Sequence, residues 1–140
     1  MTATFEEKIS HLKKEFLFAD SKEKVYEKII SLGEKLSPFP EKEKILENRI
    51  AGCQSEVFLT SIFENGKIFF YVYSNALVSA GLAYLLLFVY NGETPESLLT
   101  KKPLYLEELK IPMSLSMNRS NGLYQIFYHM QKKSLSYLSF

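Results

Sequence analysis

Between Ala76 and Tyr90 the chain runs fifteen residues almost without a polar side chain: Ala76-Leu77-Val78-Ser79-Ala80-Gly81-Leu82-Ala83-Tyr84-Leu85-Leu86-Leu87-Phe88-Val89-Tyr90. A bilayer span needs roughly 20 such residues, so this stretch predicts a helix buried within a protein core. Apolar on every side, it requires cover from other elements, and it is expected to pack across a sheet. Ser74 or Asn75 can cap its start, and Gly92 can close its end.

The segments on either side supply candidates for that cover. Residues 56–63 and 67–74 are rich in Val, Ile, Phe and Tyr, and Glu64-Asn65-Gly66 lies between them. Asn-Gly flanked in this way is the strongest short hairpin signal, so two antiparallel strands are expected, with Ile50 to Gly52 available for a third. Upstream, Thr4 and Glu7 have capping-box spacing, and Phe5, Ile9, Leu12 and Phe16 share one helical face. Asp20 with Glu23 repeats the cap signal before Val25, Ile29 and Leu32, and Gly33 lies near that helix's end. Ser37-Pro38-Phe39-Pro40 breaks helical structure, and the mixed charges of Glu41 to Lys44 predict a solvated connector. Thr94-Pro95-Glu96 opens a short helix, and residues 104–109 suggest another. The last helix carries Leu123, Ile126, Phe127 and Met130 on one stripe. The expectation is an α+β fold: a small antiparallel sheet of about three strands with helices packed on it, in a single domain over residues 1–140.

Composition removes several classes of function. Seventeen basic and sixteen acidic residues leave a formal charge of +1, which argues against a nucleic-acid footprint. One cysteine excludes an internal disulfide, a CxxC pair and a cysteine-rich zinc site. His11 and His129 lie far apart without ligand spacing, so no metal site is expected. The first residues lack the charged start and apolar core of a signal peptide, and with a free thiol this predicts the reducing cytoplasm.

The only cysteine sits in Ile50-Ala51-Gly52-Cys53-Gln54-Ser55-Glu56-Val57-Phe58, at or beside a bend leading into the sheet. Judged by residue type, Cys53 is an inert thiol packed as a small hydrophobe. Three neighbours pull the other way: Gly52 permits close backbone approach, Gln54 and Ser55 are polar, and the nearby Arg49 favours a thiolate. The second and last arginine, Arg119, stands just before the final helix, where the macrodipole already favours an anion. That placement calls for an anionic partner, a carboxylate or a thiolate. Neither histidine is placed as a base, which counts against a hydrolytic cysteine nucleophile.

The chain resembles the SufE family of sulfur acceptors over most of its length, from about Val25 to the last helix. Leu32-Gly33, Leu36 and Pro38-Phe39-Pro40 are similar to the family's lead-in. Asn48 to Phe58 matches its active-site loop, with Phe58 where tryptophan is usual, and Ser74-Asn75-Ala76 stands at its Ser-Asp-Ala. Gly81-Leu82 and Arg119-Ser120-Asn121-Gly122-Leu123 complete the pattern, the second as the C-terminal signature. The departures are Asn75 for a charged aspartate, Ser79-Ala80 where lysine precedes Gly81, Ser116-Met117 for Ser-Pro, and Ser114 where histidine is frequent.

The resemblance implies a SufE/IscU-like fold and a sulfur relay in which the protein is not itself an enzyme. A SufS-like cysteine desulfurase, carrying pyridoxal phosphate, would hold sulfur as a persulfide, and Cys53 would take it. A SufBCD-like iron–sulfur scaffold would receive it next. On this reading Cys53 carries the persulfide, Gln54 and Ser55 shape the loop, and Arg119 stabilises loop or thiolate. Gly52, Arg49, Asn75, Ser120, Asn121 and Gly122 form the surrounding binding set. The chain itself would need no cofactor and contact neither nucleic acid nor membrane. The alternatives are service to a different, CsdA-like desulfurase, a module that activates without carrying sulfur, and an independent thiol enzyme. The missing resolving cysteine counts against the last.

Overall fold

A computed structural model describes residues 3–51, 55–109, 111 and 122–138. Among them are helices α1 (Phe5–Glu15) and α2 (Lys22–Gly33), strands β1 (Val57–Glu64) and β2 (Lys67–Ser74), then helices α3 (Leu77–Tyr90), α4 (Pro95–Thr100), α5 (Tyr105–Glu108) and α6 (Gly122–Ser136). The strands pair antiparallel from Val57↔Ser74 to Glu64↔Lys67. Asn65 and Gly66 both take positive φ, 53° and 77°, the backbone that a two-residue hairpin turn of this twist requires. Of the three strands expected, two are regular among the described residues, and Gly52 of the third lies outside them. The described part of the third makes one antiparallel bridge, Arg49↔Phe58, reinforced by the Ile50 N–H donating to the Val57 carbonyl at 2.9 Å.

One face of the hairpin carries Val57, Leu59, Ile68, Phe70 and Val72, all buried. α3 packs on this face, with Leu82, Ala83, Leu85, Leu86, Val89 and Tyr90 buried, and one hydrophobic cluster takes in residues of α1 through α6 and both strands. Each fully buried large side chain in it is worth about 1.5–3 kcal/mol relative to exposure. The α2–α3 crossing is closer than side chains would permit. A Cβ on Gly81 would lie 2.0 Å from the Ile29 carbonyl oxygen, and one on Gly33 would lie 2.7 Å from the Gly81 nitrogen. Gly33 therefore serves this backbone contact, besides lying at the end of α2.

The caps depart from expectation in two places. Ser21, not Asp20, caps α2, accepting from the Lys24 N–H at 3.2 Å; its hydroxyl is one residue closer to the first turn. α3 starts from Ala76 with no side-chain cap. Ser74 Oγ accepts from the Ala76 N–H at 3.1 Å, one residue short of the helix, and Asn75 turns elsewhere. At the other end Gly92, with φ 84°, turns the chain out of α3 as expected. The terminal carbonyls there find a partner that the helical pattern did not indicate. Lys8, 7% exposed in the buried face of α1, donates to the Val89 and Asn91 carbonyls at 3.2 and 2.8 Å and pairs with Glu93 at 3.1 Å. A cation suits the negative pole of a helix and satisfies acceptors that would otherwise lack donors.

Candidate functional site

Cys53 stands between two described stretches, one ending at Ala51 and one beginning at Ser55, and both are tied to the fold. On the entering side, Ile50 is buried and pairs with Val57, which also pairs with Ser74. The preceding residue but one, Asn48, is buried: its amide donates to the Glu43 carbonyl at 2.8 Å and to Glu43 Oε1 at 3.1 Å, and it accepts from Lys133 Nζ of α6 at 3.4 Å. Glu43 also accepts from Thr60 Oγ1 at 3.2 Å. The charged run 41–44 is thus only half a solvated connector. Glu41 and Lys42 are exposed, but Glu43 and Lys44 are half-buried, and Lys44 Nζ lies 3.7 Å above the Tyr73 ring. The Glu41 carboxylate, hydrogen-bonded to that ammonium at 2.7 Å, raises the Lys44 pKa.

On the returning side the ties come from the start of α3. The Glu56 N–H donates to Asn75 Oδ1 at 3.0 Å, and the Asn75 N–H donates to the Glu56 carbonyl at 3.2 Å. Asn75 therefore acts on the loop's exit as a strand residue would, and does not cap α3. A carboxylate accepts such an N–H equally well, so an aspartate at this position could make the same contact. Ser55 Oγ shares a hydrogen bond with Ser79 Oγ at 3.0 Å. Phe58, 7% exposed, packs beside Phe39 and Tyr73 at ring separations of 6.4 and 6.3 Å, so an aromatic ring fills the place beside the proline segment.

Of the expected site residues, Arg49, Ser55 and Asn75 are brought to one place around the loop's two ends. Arg49 has an exposed side chain, and its backbone pairs with Phe58. Gly122 is the first residue of α6. Gly52, Cys53, Gln54, Arg119, Ser120 and Asn121 lie outside the described residues. Ser79 and Glu43 were not singled out by sequence as holding the loop. Ser79 replaces a residue of the family pattern, which was the available signal, whereas the Glu43 contacts depend on tertiary placement. Two large apolar side chains near these residues in sequence are exposed: Leu46, three residues before Arg49, at 84%, and Leu77, two residues after Asn75, at 65%.

Residues 10–134 match the Fe-S metabolism associated domain of the SufE family. The cysteine desulfuration protein SufE of Wigglesworthia glossinidia brevipalpis is 36% identical over 133 residues, covering 93% of this chain and 91% of that protein. The sulfur acceptor protein CsdE of Escherichia coli strain K12 is 37% identical over 100 residues, covering 70% and 68%. The solution structure of a hypothetical protein from Thermus thermophilus superposes with a TM-score of 0.73 at 21% identity, over 94% of this chain and 96% of that one.

Proposed function

We infer the function from a premise that the match establishes: the chain belongs to the SufE family. Its role is that of a sulfur acceptor working with a cysteine desulfurase, and the sulfur is carried on Cys53. The observation that supports this reading is that the described residues on either side of the chain's single cysteine are both held, Ile50 by Val57 and Ser55 by Ser79. Ser55 is fastened to Ser79 in the first turn of the fourteen-residue helix α3.

The transfer is a thiol exchange. The Cys53 thiolate attacks the terminal sulfur of the desulfurase persulfide. A new S–S bond forms at Cys53 Sγ as the donor's own S–S bond breaks, and the donor cysteine leaves as a thiolate. No net oxidant or reductant is consumed. Arg119, before α6, stabilises the loop or the thiolate, and Gln54 and Ser55 shape the loop. Pyridoxal phosphate belongs to the partner. Passing the sulfur to an iron–sulfur scaffold reverses the geometry, with the Cys53 persulfide now the donor. The free Cys53 thiol that accepts sulfur is kept reduced in a reducing compartment, and the cytoplasm is the one this reading expects. No helix among the described residues is long and apolar enough to cross a membrane.

Relatives named for two systems, SufE and CsdE, are about equally similar to the chain, so the test uses a desulfurase of each kind. Sulfide release from cysteine is followed with and without the chain. Wild type stimulates at least one desulfurase, and Cys53→Ser does not. Equal stimulation by both forms would leave the chain an activating module that carries no sulfur.

A further inference from the structure

Ser55, two residues after Cys53, is held by a side-chain contact with α3. Ser79 stands in the first turn of α3, and its hydroxyl lies 3.0 Å from that of Ser55, 24 residues earlier. A serine so near a helix start commonly bonds the helix's own free N–H groups. Here α3 has no side-chain cap, and the Ser79 hydroxyl is turned to the loop instead. Both serines are half-buried, where a hydrogen bond competes less with water. Asn75 holds the adjoining Glu56 backbone through two more bonds, so Ser55 and Glu56 are fastened as a unit to the start of α3.

We propose that Ser79 is a positioning residue for sulfur transfer: through Ser55 it fixes the anchor from which Cys53 meets the donor persulfide. This deepens the acceptor reading and rests on it. Cys53 is two residues from Ser55, at most about 7 Å of chain, so the anchor bounds where the thiolate can be. Displacement at sulfur requires an aligned attack, and small misplacements lower its rate strongly. No proton passes through the serine pair. The bond changes are those of the exchange already described, and Ser79 affects only how often the thiolate is in line.

The test compares wild type with Ser79→Ala, Ser55→Ala, the double variant and Ser79→Thr, each as the full chain with a desulfurase and cysteine. Each single alanine variant lowers the maximal rate of sulfur uptake by about three- to tenfold, the range one hydrogen bond covers, while the half-saturating acceptor concentration moves less than about twofold. The double variant is no slower than the slower single, since both remove one interaction. Ser79→Thr, which keeps the hydroxyl, restores the rate. Hydrogen exchange of a peptide spanning residues 50–58 quickens in the alanine variants and returns to wild-type rates with threonine. Additive losses, an alanine variant as fast and as protected as wild type, or a slow variant that threonine does not rescue would each overturn the proposal. A wild-type chain that takes up no sulfur from either desulfurase would instead overturn the acceptor reading beneath it.

Discussion

Lys8 is a buried charge that the sequence reading did not single out. It falls three residues after Phe5 and four before Leu12, so helical spacing places it on the buried face of α1. Its partners, the Val89 and Asn91 carbonyls and Glu93, come more than eighty residues later, and nothing local announces them. Replacement with methionine keeps the stem's packing but leaves Glu93 and the end of α3 without a cation. Lys8→Met is expected to lose about 3 kcal/mol, the scale of breaking a largely buried ion pair, read from urea unfolding. A change under about 0.5 kcal/mol, the range of an ordinary surface substitution, would show that water replaces the ammonium there. Asn75 differs. Its place in the motif was readable, but its service to the Glu56 backbone depends on the hairpin bringing residues 56 and 75 together.

Among elements, the hairpin and α3 were legible because their signals are local: two φ-permissive residues between apolar runs, and a helix too apolar to be exposed. The third strand was less so. Ile50 is apolar and stands shortly before a glycine, but whether it forms a strand or a single bridge depends on how far β1 extends beyond Val57. The α2–α3 crossing explains two residues that a pattern can only flag. Gly33 and Gly81 permit backbone contact, and a methyl group at Gly81 would have to displace the Ile29 carbonyl, which cannot give way as a side-chain tip can. Gly81→Ala is therefore expected to destabilise by about 3 kcal/mol or more, at the upper end of overpacking. Denaturant unfolding checks it. A stable Gly81→Ala protein with wild-type cooperativity would mean that the two helices can separate at little cost.

At the scale of the whole molecule, charge and exposed apolar surface are arranged for different ends. Glu15 of α1 accepts from Lys28 at 3.1 Å and faces Lys35 and His11 at 3.8 and 3.6 Å, which clasps α1 to α2. The Lys28 hydrogen bond lowers the Glu15 pKa, with the charges of Lys28, Lys35 and His11 adding and burial opposing. A carboxyl whose native pKa is depressed contributes stability that is complete above its unfolded value and is lost as pH falls through the native one. The stability difference between wild type and Glu15→Gln should thus be constant above pH about 6 and shrink below about pH 4, with wild type the more stable at neutral pH. A difference that persists unchanged in acid would assign the effect to shape and not to charge. Apolar side chains are exposed as well, Leu46 and Leu77 among them. None of that surface was legible in advance, since exposure depends on which face each element buries.

The account stands on Cys53 receiving a sulfur atom. The direct measurement is intact-protein and peptide mass spectrometry after the full chain is incubated with a desulfurase and cysteine, without reductant. The account predicts a gain of one sulfur atom located on Cys53, removed by a thiol reductant and absent from Cys53→Ser. An unmodified Cys53 in a reaction where the chain nonetheless stimulates the desulfurase would contradict it.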